Sequence, residues 1–127
     1  MLQQPDPRNR DLIVNIGGEL SPRDQAGVSP FDSSVQGGDA VWEGLRLYQG
    51  KIFRLDQHLA RLESSAKAMA FTEIPSRESI VEEIRRTLEA NEMTDEVHIR
   101  LTLTRGVKVT SGMDPRLNES GPTLIVL

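Results

Sequence analysis

The sequence contains no cysteine among its 127 residues. Disulfide bonds, thiolate catalysis and cysteine metal sites are therefore excluded, and no metal site is predicted. The sequence also has no run of about 18 apolar residues, the length that a membrane-spanning helix requires. It has no block of Lys and Arg, and its formal net charge is −4. Because a protein that binds the phosphate backbone of nucleic acid needs a basic stripe, this function is disfavoured.

The two ends of the chain differ in composition. The first eleven residues are polar, with two prolines and no apolar segment. They do not have the pattern of a signal peptide, so a cytoplasmic location and a flexible tail over 1–11 are expected. The other end, TLIVL over 123–127, has the pattern of a buried strand. We expect a longer protein to continue beyond this strand, and the alternative is a terminal strand within the sheet.

Residues 12–127 are long enough for one domain that buries roughly two thirds of its unfolded surface. Apolar runs, alternation and turn residues predict strands at 12–16, 19–20, 41–48, 51–54 and 96–104, with a short one near Val28. Gly17-Gly18 and Gln49-Gly50 are the expected tight turns. Segregated strands and helices indicate an α+β domain, with two helices packed on a mainly antiparallel sheet.

Two helices are predicted from apolar residues at helical spacing. Asp56 is the expected N-cap of the first helix, over 57–70, and Ser76 begins the second, which ends near Asn91. Glu82 is expected to pair with Arg86, one turn along. The buried stripes are expected to contain Leu59, Leu62, Ala66 and Met69 in the first helix, and Ile80, Val81, Ile84 and Leu88 in the second.

Three polar side chains could carry chemistry. In the strand at 96–104, His98 and Arg100 point away from the core, where they could line an anion-binding cavity or form a solvated face. Arg61 lies on the flank of its helix, where it could extend to solvent or direct its planar donors at a phosphate. His58 is one turn away and is interpreted as a packed, hydrogen-bonded histidine. Gly37-Gly38-Asp39 matches neither a P-loop nor a dinucleotide fingerprint.

A set of motifs occurs in order along the chain. They are the hairpin Asn15 to Glu19, Asp32, Gly38-Asp39, Trp42-Glu43, Arg46, the helix motif His58, Arg61, Leu62, Ser65 and Ala66, and the strand HIRLTLTRG. Each motif alone is weak, but the ordered set resembles the amino-terminal half of the class IV (fold-type IV) aminotransferases, most nearly the branched-chain type. These enzymes use pyridoxal phosphate (PLP) to move an amino group from an amino acid to a 2-oxo acid.

The resemblance implies roles for several residues. Arg61 matches the arginine that binds the PLP phosphate, Arg100 matches a substrate-pocket arginine, and Trp42 matches an aromatic wall of that pocket. The resemblance also implies at least a homodimer. The loop 21–38 is a candidate contact in that dimer, because its apolar residues lack an evident strand or helix to bury them. Those residues are Val28, Pro30, Phe31 and Val35.

The sequence departs from the family pattern at pocket positions. Gly37 stands where many relatives have an aromatic residue, His98 where branched-chain enzymes often have tyrosine, and Trp42 where Phe or Tyr is usual. These changes leave the substrate open. Within the family, D-amino-acid transamination and aminodeoxychorismate lyase chemistry are the alternatives. Outside it, the alternative is a non-catalytic domain of similar fold that serves in binding or association.

The family's Schiff-base lysine lies in a carboxy-terminal domain, which is absent from these 127 residues. Lys51, Lys67 and Lys108 do not match its position and are interpreted as surface residues. We therefore predict no catalytic residue in this chain and no activity from the chain alone.

Overall fold

One six-stranded sheet organises the domain in the computed structural model, which describes residues 5–127. The strands are β1 (Ile13–Ile16), β2 (Glu19–Pro22), β3 (Ala40–Tyr48), β4 (Lys51–Ile52), β5 (Val97–Thr104) and β6 (Thr123–Val126). Their order is β2-β1-β6-β5-β3-β4, and every neighbouring pair is antiparallel. The predicted α+β class and antiparallel sheet are confirmed, as are the hairpin turns at Gly17-Gly18 and Gln49-Gly50.

The first long helix is α2 (Leu55–Ala68). Leu59, Leu62 and Ala66 are buried as predicted, and Met69 is half-buried beyond the helix end. The predicted N-cap was wrong. Arg54, in a left-handed conformation with φ 53°, occupies the cap position, and Asp56 lies inside the first turn. The helix begins two residues earlier than expected. Asp56 therefore lies in the first turn, where its carboxylate interacts favourably with the positive end of the helix dipole.

The second long helix is α3 (Arg77–Ala90), with Ser76 as N-cap and Asn91 as C-cap, as predicted. The Ser76 hydroxyl accepts a hydrogen bond from the Ser79 amide at 3.1 Å. The prediction of Val81 in the buried stripe was wrong, since Val81 is 37% exposed and Thr87 is buried instead.

The predicted ion pair on α3 was also wrong. Glu82 pairs with Arg85, whereas Arg86 pairs with Glu83. Glu83 also accepts a bond from the buried Asn15 of β1, so its carboxylate is held on the side of the helix that faces the hairpin.

The segment before β3 contains no strand near Val28, so that prediction was wrong. Instead it forms a short helix, α1 (Ser33–Gly37), which the sequence did not indicate. Asp32 caps it and is fully buried. One Asp32 carboxylate oxygen accepts from the Ser34 amide at 2.9 Å, and the other accepts from the Thr104 hydroxyl at 3.0 Å. These bonds tie α1 to the end of β5.

The sheet has two different faces. Helices α2 and α3 cover one face and form a single core with it. The other face, here called the open face, carries the alternate residues of β3 and β5, and Trp42, Arg46, His98 and Arg100 are exposed on it. The core contains Val41, Leu45, Leu47, Leu59, Leu62, Ala66, Phe71, Ile80, Ile84, Ile99, Leu101, Leu103, Leu124 and Val126.

Part of the predicted tail, Met1 to Gln4, lies outside the described residues. The remainder contains a 3₁₀ turn at Pro7–Asn9, which Asp6 caps. Within residues 5–127, no helix combines the length and the apolar character needed to cross a membrane.

Candidate functional site

A buried carboxylate organises the helix side of the candidate site. Glu43 points from β3 toward α2, and its side chain is 5% exposed. Its Oε1 lies 2.7 Å from Nη2 of Arg61 and 2.7 Å from Nδ1 of His58. The Nε of Arg61 donates to both carboxylate oxygens, at 3.0 and 2.9 Å. Arg61 and His58 are three residues apart on α2, so one turn of the helix brings both side chains to Glu43.

Glu43 and Arg61 form an ionised pair at neutral pH. Burial alone would raise the pKa of Glu43, but the hydrogen bonds from Arg61 and then His58 outweigh burial and hold that pKa below its ordinary value. The same bond to Glu43 raises the pKa of Arg61. Because the ionised carboxylate can only accept, His58 must carry a hydrogen on Nδ1. The prediction of His58 as a packed, hydrogen-bonded histidine agrees with this bond, and the side chain is 22% exposed.

Arg61 itself lies largely in solvent, with a side chain that is 68% exposed. Its Nε and Nη2 are engaged by Glu43, whereas Nη1 has no acceptor among residues 5–127. One edge of the guanidinium is therefore fixed against the protein while the opposite edge faces outward. A guanidinium held in this way can offer hydrogen bonds to an external anion.

The open face carries a second group of cationic side chains. The guanidinium of Arg100 lies 3.5 Å from the centre of the Trp42 ring, a cation–π stack on neighbouring strands. Arg46 of β3 is directly opposite His98 of β5 in the strand register. Arg46 also contacts Tyr48, with its Nε 3.3 Å from the phenol oxygen. The predicted polar face of β5 thus continues across β3.

A cavity of about 580 Å³ adjoins these side chains. Arg46, His98 and Arg100 contribute to its wall together with Arg8, and four acidic residues also line it: Asp6, Glu92, Asp95 and Glu96. Its wall includes neither Trp42, Gly37 nor Arg61 among the described residues. Because acidic and basic side chains share this wall, the cavity alone does not distinguish the anion-binding interpretation of His98 and Arg100 from the solvated face.

The predicted site residues therefore fall into three places. Trp42, His98 and Arg100 share the open face, while Arg61 lies on α2 on the helix-covered side of the sheet. Gly37 ends α1 and is exposed, and a Cβ built on it would lie 3.4 Å from the Met113 methyl group.

Comparison with known proteins identifies the family of this chain. The sequence profile described as "Amino-transferase class IV" matches residues 40–127. The chain belongs to the class IV aminotransferases. It is 60% identical over 123 residues to the Arabidopsis thaliana branched-chain-amino-acid aminotransferase-like protein 2. The aligned region covers 97% of this chain and 22% of that protein.

Relatives with other names are also similar to this class IV aminotransferase chain. The D-alanine aminotransferase of Bacillus licheniformis is 32% identical over 89% of the chain and 38% of its own length. The aminodeoxychorismate lyase of Bacillus subtilis is 31% identical over 75% of the chain and 33% of its own length. The branched-chain aminotransferase structure of Escherichia coli superposes with a TM-score of 0.74 at 25% identity, covering 91% of this chain and 38% of that one. The chain thus spans 22–38% of the length of these relatives.

Class IV aminotransferases are PLP enzymes, and the donor chemistry at Arg61 fits the cofactor's phosphate. The outward Nη1 edge supplies charge-assisted donors, and the buried Glu43 keeps them from turning inward.

The lysines do not complete a cofactor site within the described residues. Lys51 and Lys67 are exposed as predicted, and Lys67 pairs with Glu63. The prediction of Lys108 as a surface residue was wrong, because its side chain is 5% exposed. The Lys108 amide bonds to the Phe31 carbonyl, so the loop folds over the lysine stem, and its Nζ donates to the Gly112 carbonyl at 2.6 Å.

Sequence reasoning missed Arg105 as a structural element of this domain. Its guanidinium pairs with Asp39 at the start of β3 and donates to the Met69 carbonyl at 2.7 Å, at the end of α2. It also lies 4.7 Å from the centre of the Phe71 ring. The arginine therefore fixes the end of α2 against β3. In the sequence, Arg105-Gly106 interrupts the alternating pattern of the strand. This interruption was the signal that could have indicated a special role for Arg105.

Exposed apolar side chains cluster around α1. Phe31 and Val35 are 46% and 58% exposed, and Val109 and Met113 on the following loop are 59% and 77% exposed. The two segments are joined by the bond from the Lys108 amide to the Phe31 carbonyl. We call these four residues the α1 patch. Two other apolar residues of the loop were also predicted to contact a partner. Of these, Val28 is half-buried, whereas Pro30 is exposed.

Proposed function

We propose that this chain is the amino-terminal domain of a PLP-dependent aminotransferase, in which it holds the cofactor phosphate and forms part of the substrate pocket. The observation that carries this proposal is the Arg61 guanidinium, fixed on one edge by buried Glu43 and open on the other. The proposed reaction transfers an amino group between an amino acid and a 2-oxo acid. A location in the cytoplasm remains a prediction from the sequence.

When bound, PLP would supply an electron sink for the pair left on the substrate carbon when that carbon loses its proton. The role of this chain in that chemistry is to bind and orient. Arg61 donates to the phosphate, and Arg100 and His98 are proposed to bind the substrate carboxylate on the open face. Trp42 is proposed to form a wall of the pocket beside Arg100, on which its ring already stacks.

The branched-chain type is favoured as the substrate class, because the relative named for it is 60% identical over nearly the whole chain. His98 stands where branched-chain enzymes often have tyrosine, so a different substrate side chain is also compatible with the proposal. D-amino-acid transamination and aminodeoxychorismate lyase chemistry remain the alternatives, supported by relatives at 31–32% identity. The purified longest protein product of the gene should be assayed with L-leucine, D-alanine and aminodeoxychorismate. The substrate that it converts distinguishes the three reaction types.

The 127-residue chain alone is proposed to lack activity, since none of its lysines is suited to bond the cofactor. Lys51 and Lys67 are exposed and Lys108 donates to a backbone carbonyl. Incubation with PLP, borohydride reduction and mass measurement test this. Scattered substoichiometric labelling agrees with the proposal, whereas one stoichiometric site, Lys108 above all, overturns it.

The cofactor role of Arg61 is tested in the longest protein product of the gene. Arg61→Ala removes a charge-assisted phosphate contact, so the Kd for PLP should rise roughly tens of times. Arg85→Ala is the matched control, because Arg85 is also an exposed helical arginine paired with glutamates. If both variants fold and bind PLP like the unchanged protein, Arg61 is a solvated surface residue and the proposed function loses its main support.

A homodimer is also proposed, with the α1 patch in the contact. A cluster of four exposed apolar residues is a surface that association would cover. Sedimentation of the longest gene product should give a dimer, and Val35→Asp should weaken it. Val81→Asp is the control, since Val81 is exposed on α3 away from the patch. A fully active monomer at micromolar concentration contradicts the dimer.

A further inference from the structure

We infer that Glu43 is a positioning residue for cofactor binding, which selects the edge of the Arg61 guanidinium that meets the phosphate. The inference rests on the proposed function of Arg61 and adds a second residue to it. Glu43 does not touch the ligand in this scheme. It acts through Arg61, by holding that side chain in one orientation before the ligand arrives.

The contact geometry supports one orientation. Glu43 accepts from Nε and Nη2 of Arg61 with three bonds of 2.7 to 3.0 Å. Two donors engaged on the same side of a planar group fix its rotation, which a single bond would leave free. The side facing the carboxylate is thus occupied, and Nη1 is directed away from it. An exposed arginine without such a partner samples many rotamers and must be ordered when it binds.

The carboxylate is itself held firmly. Glu43 lies on β3, flanked by the buried Val41 and Leu45, and opposite Leu101 of β5. Its Oε1 also accepts from His58, on the preceding turn of α2. The anchor is therefore nearly enclosed while the group it anchors is 68% exposed. This asymmetry is the arrangement expected when a buried, fixed carboxylate holds a functional side chain that is exposed to solvent.

A purely structural pair makes a different prediction. If Arg61 served only to neutralise a buried carboxylate, changing Glu43 would alter folding but would not change the contribution of the phosphate to ligand binding. If Glu43 positions Arg61, the change reduces that contribution specifically. The contribution is measured by the ratio of affinities for PLP and for pyridoxal, which lacks the phosphate.

The experiment uses the longest protein product of the gene without cofactor. Kd values for PLP and pyridoxal are measured for the unchanged protein, Glu43→Gln, Arg61→Ala and the double variant. Glu43→Gln should lower the PLP-to-pyridoxal affinity ratio roughly five- to tenfold, because the arginine must be ordered on binding. It should have no further effect in the Arg61→Ala background. Glu63→Gln is the control, since Glu63 is a carboxylate on α2 that pairs with Lys67 and Arg77.

The outcomes distinguish the inference from the proposed function. If Arg61→Ala collapses the ratio and Glu43→Gln leaves it unchanged, the proposed function stands and the positioning role is wrong. If Arg61→Ala leaves the ratio unchanged, the proposed function itself fails. Should Glu43→Gln not fold, Glu43→Asp keeps the charge but withdraws the carboxylate by one methylene. That variant should also lower the ratio, and an unchanged ratio overturns the inference.

Discussion

Substituting Gly106 by alanine should destabilise the domain strongly, for reasons that the backbone makes explicit. Gly106 is buried just after β5 with φ +108°, a conformation that side chains of L-residues rarely adopt. A Cβ built there would lie 1.9 Å from the Gly121 carbonyl oxygen, which is backbone and cannot rotate away. The Gly106 carbonyl also accepts from the Ser33 amide and from Asn118 Nδ2, both at 2.9 Å. Relief of the clash must therefore disturb α1 as well.

The magnitude follows from two contributions. Backbone strain at a sparsely populated φ costs about 1–3 kcal/mol, and forcing extra volume into a packed region costs about 1–3 kcal/mol. The free energy of unfolding should therefore fall by about 2–6 kcal/mol, a large part of the roughly 5–15 kcal/mol of a typical domain. Gly38→Ala is the matched control, because Gly38 has φ +68° with nothing within 4 Å of a built Cβ. It should cost only about 1 kcal/mol.

Urea unfolding of the 127-residue chain, followed by circular dichroism and by Trp42 fluorescence, measures both variants. With an m-value of about 2 kcal/mol/M, Gly106→Ala should lower the midpoint by about 2 M. The Gly38→Ala midpoint should fall by about 0.5 M at the same m-value. Equal midpoints for the two variants would refute the reasoning, because they differ chiefly in the clash with Gly121.

Two further predictions concern charged groups, and a third concerns the buried lysine. Arg105→Gln should lower the free energy of unfolding by about 2 kcal/mol, because it leaves half-buried Asp39 and the end of α2 without their partner. Arg116→Gln is the control, since it changes an exposed ion pair and should leave the unfolding midpoint unchanged. The folded-state pKa of Glu43 is depressed, so its contribution is complete above its ordinary value of 4.5 and is lost as pH falls through the lower folded value. The stability difference between the unchanged chain and Glu43→Gln should therefore shrink below about pH 4.5 in unfolding curves, and a constant difference would contradict the ionised pair. Lys108→Met should change the free energy of unfolding by less than about 1 kcal/mol, since an apolar side chain of similar length replaces a buried charge with one carbonyl acceptor; a loss of 3 kcal/mol or more would show that this bond is essential.

Local sequence patterns located all six strands and both long helices, but they also predicted a strand near Val28 and an Asp56 cap that the structure does not have. The Ser76 cap, Ile80 and Ile84 follow from spacing alone, because a helix stripe and an N-cap depend on neighbours within a few residues. Helix α1 was not predictable in the same way. It is five residues long, and its cap, Asp32, is stabilised by Thr104, which is 72 residues away.

The candidate site was predictable only in part. Alternation placed His98 and Arg100 on one face of β5, as the structure has them. The pairing of Arg61 with Glu43 depends on how α2 crosses β3, and a helical wheel contains no information on that crossing. Lys108 was misjudged for a related reason. Its amide bonds to the Phe31 carbonyl and its Nζ to the Gly112 carbonyl, and composition does not reveal a contact across 77 positions of sequence such as the first.

The sheet order also constrains when the fold can form during synthesis. Strand β6 lies between β1 and β5, so within residues 5–127 the hairpin β1–β2 pairs with the rest of the sheet only through residues 123–126. Until the ribosome has released those residues, hydrogen bonds hold the hairpin to the body from Asn15 to Thr87 of α3 and from Asn91, the C-cap of α3, to Ile13. Meanwhile the edges of β1 and β5 carry unpaired backbone groups, which invite pairing with other chains. We therefore expect aggregation during synthesis to depend on how quickly β6 inserts, and ribosome-bound chains that stop before Thr123 should be the species that chaperones retain.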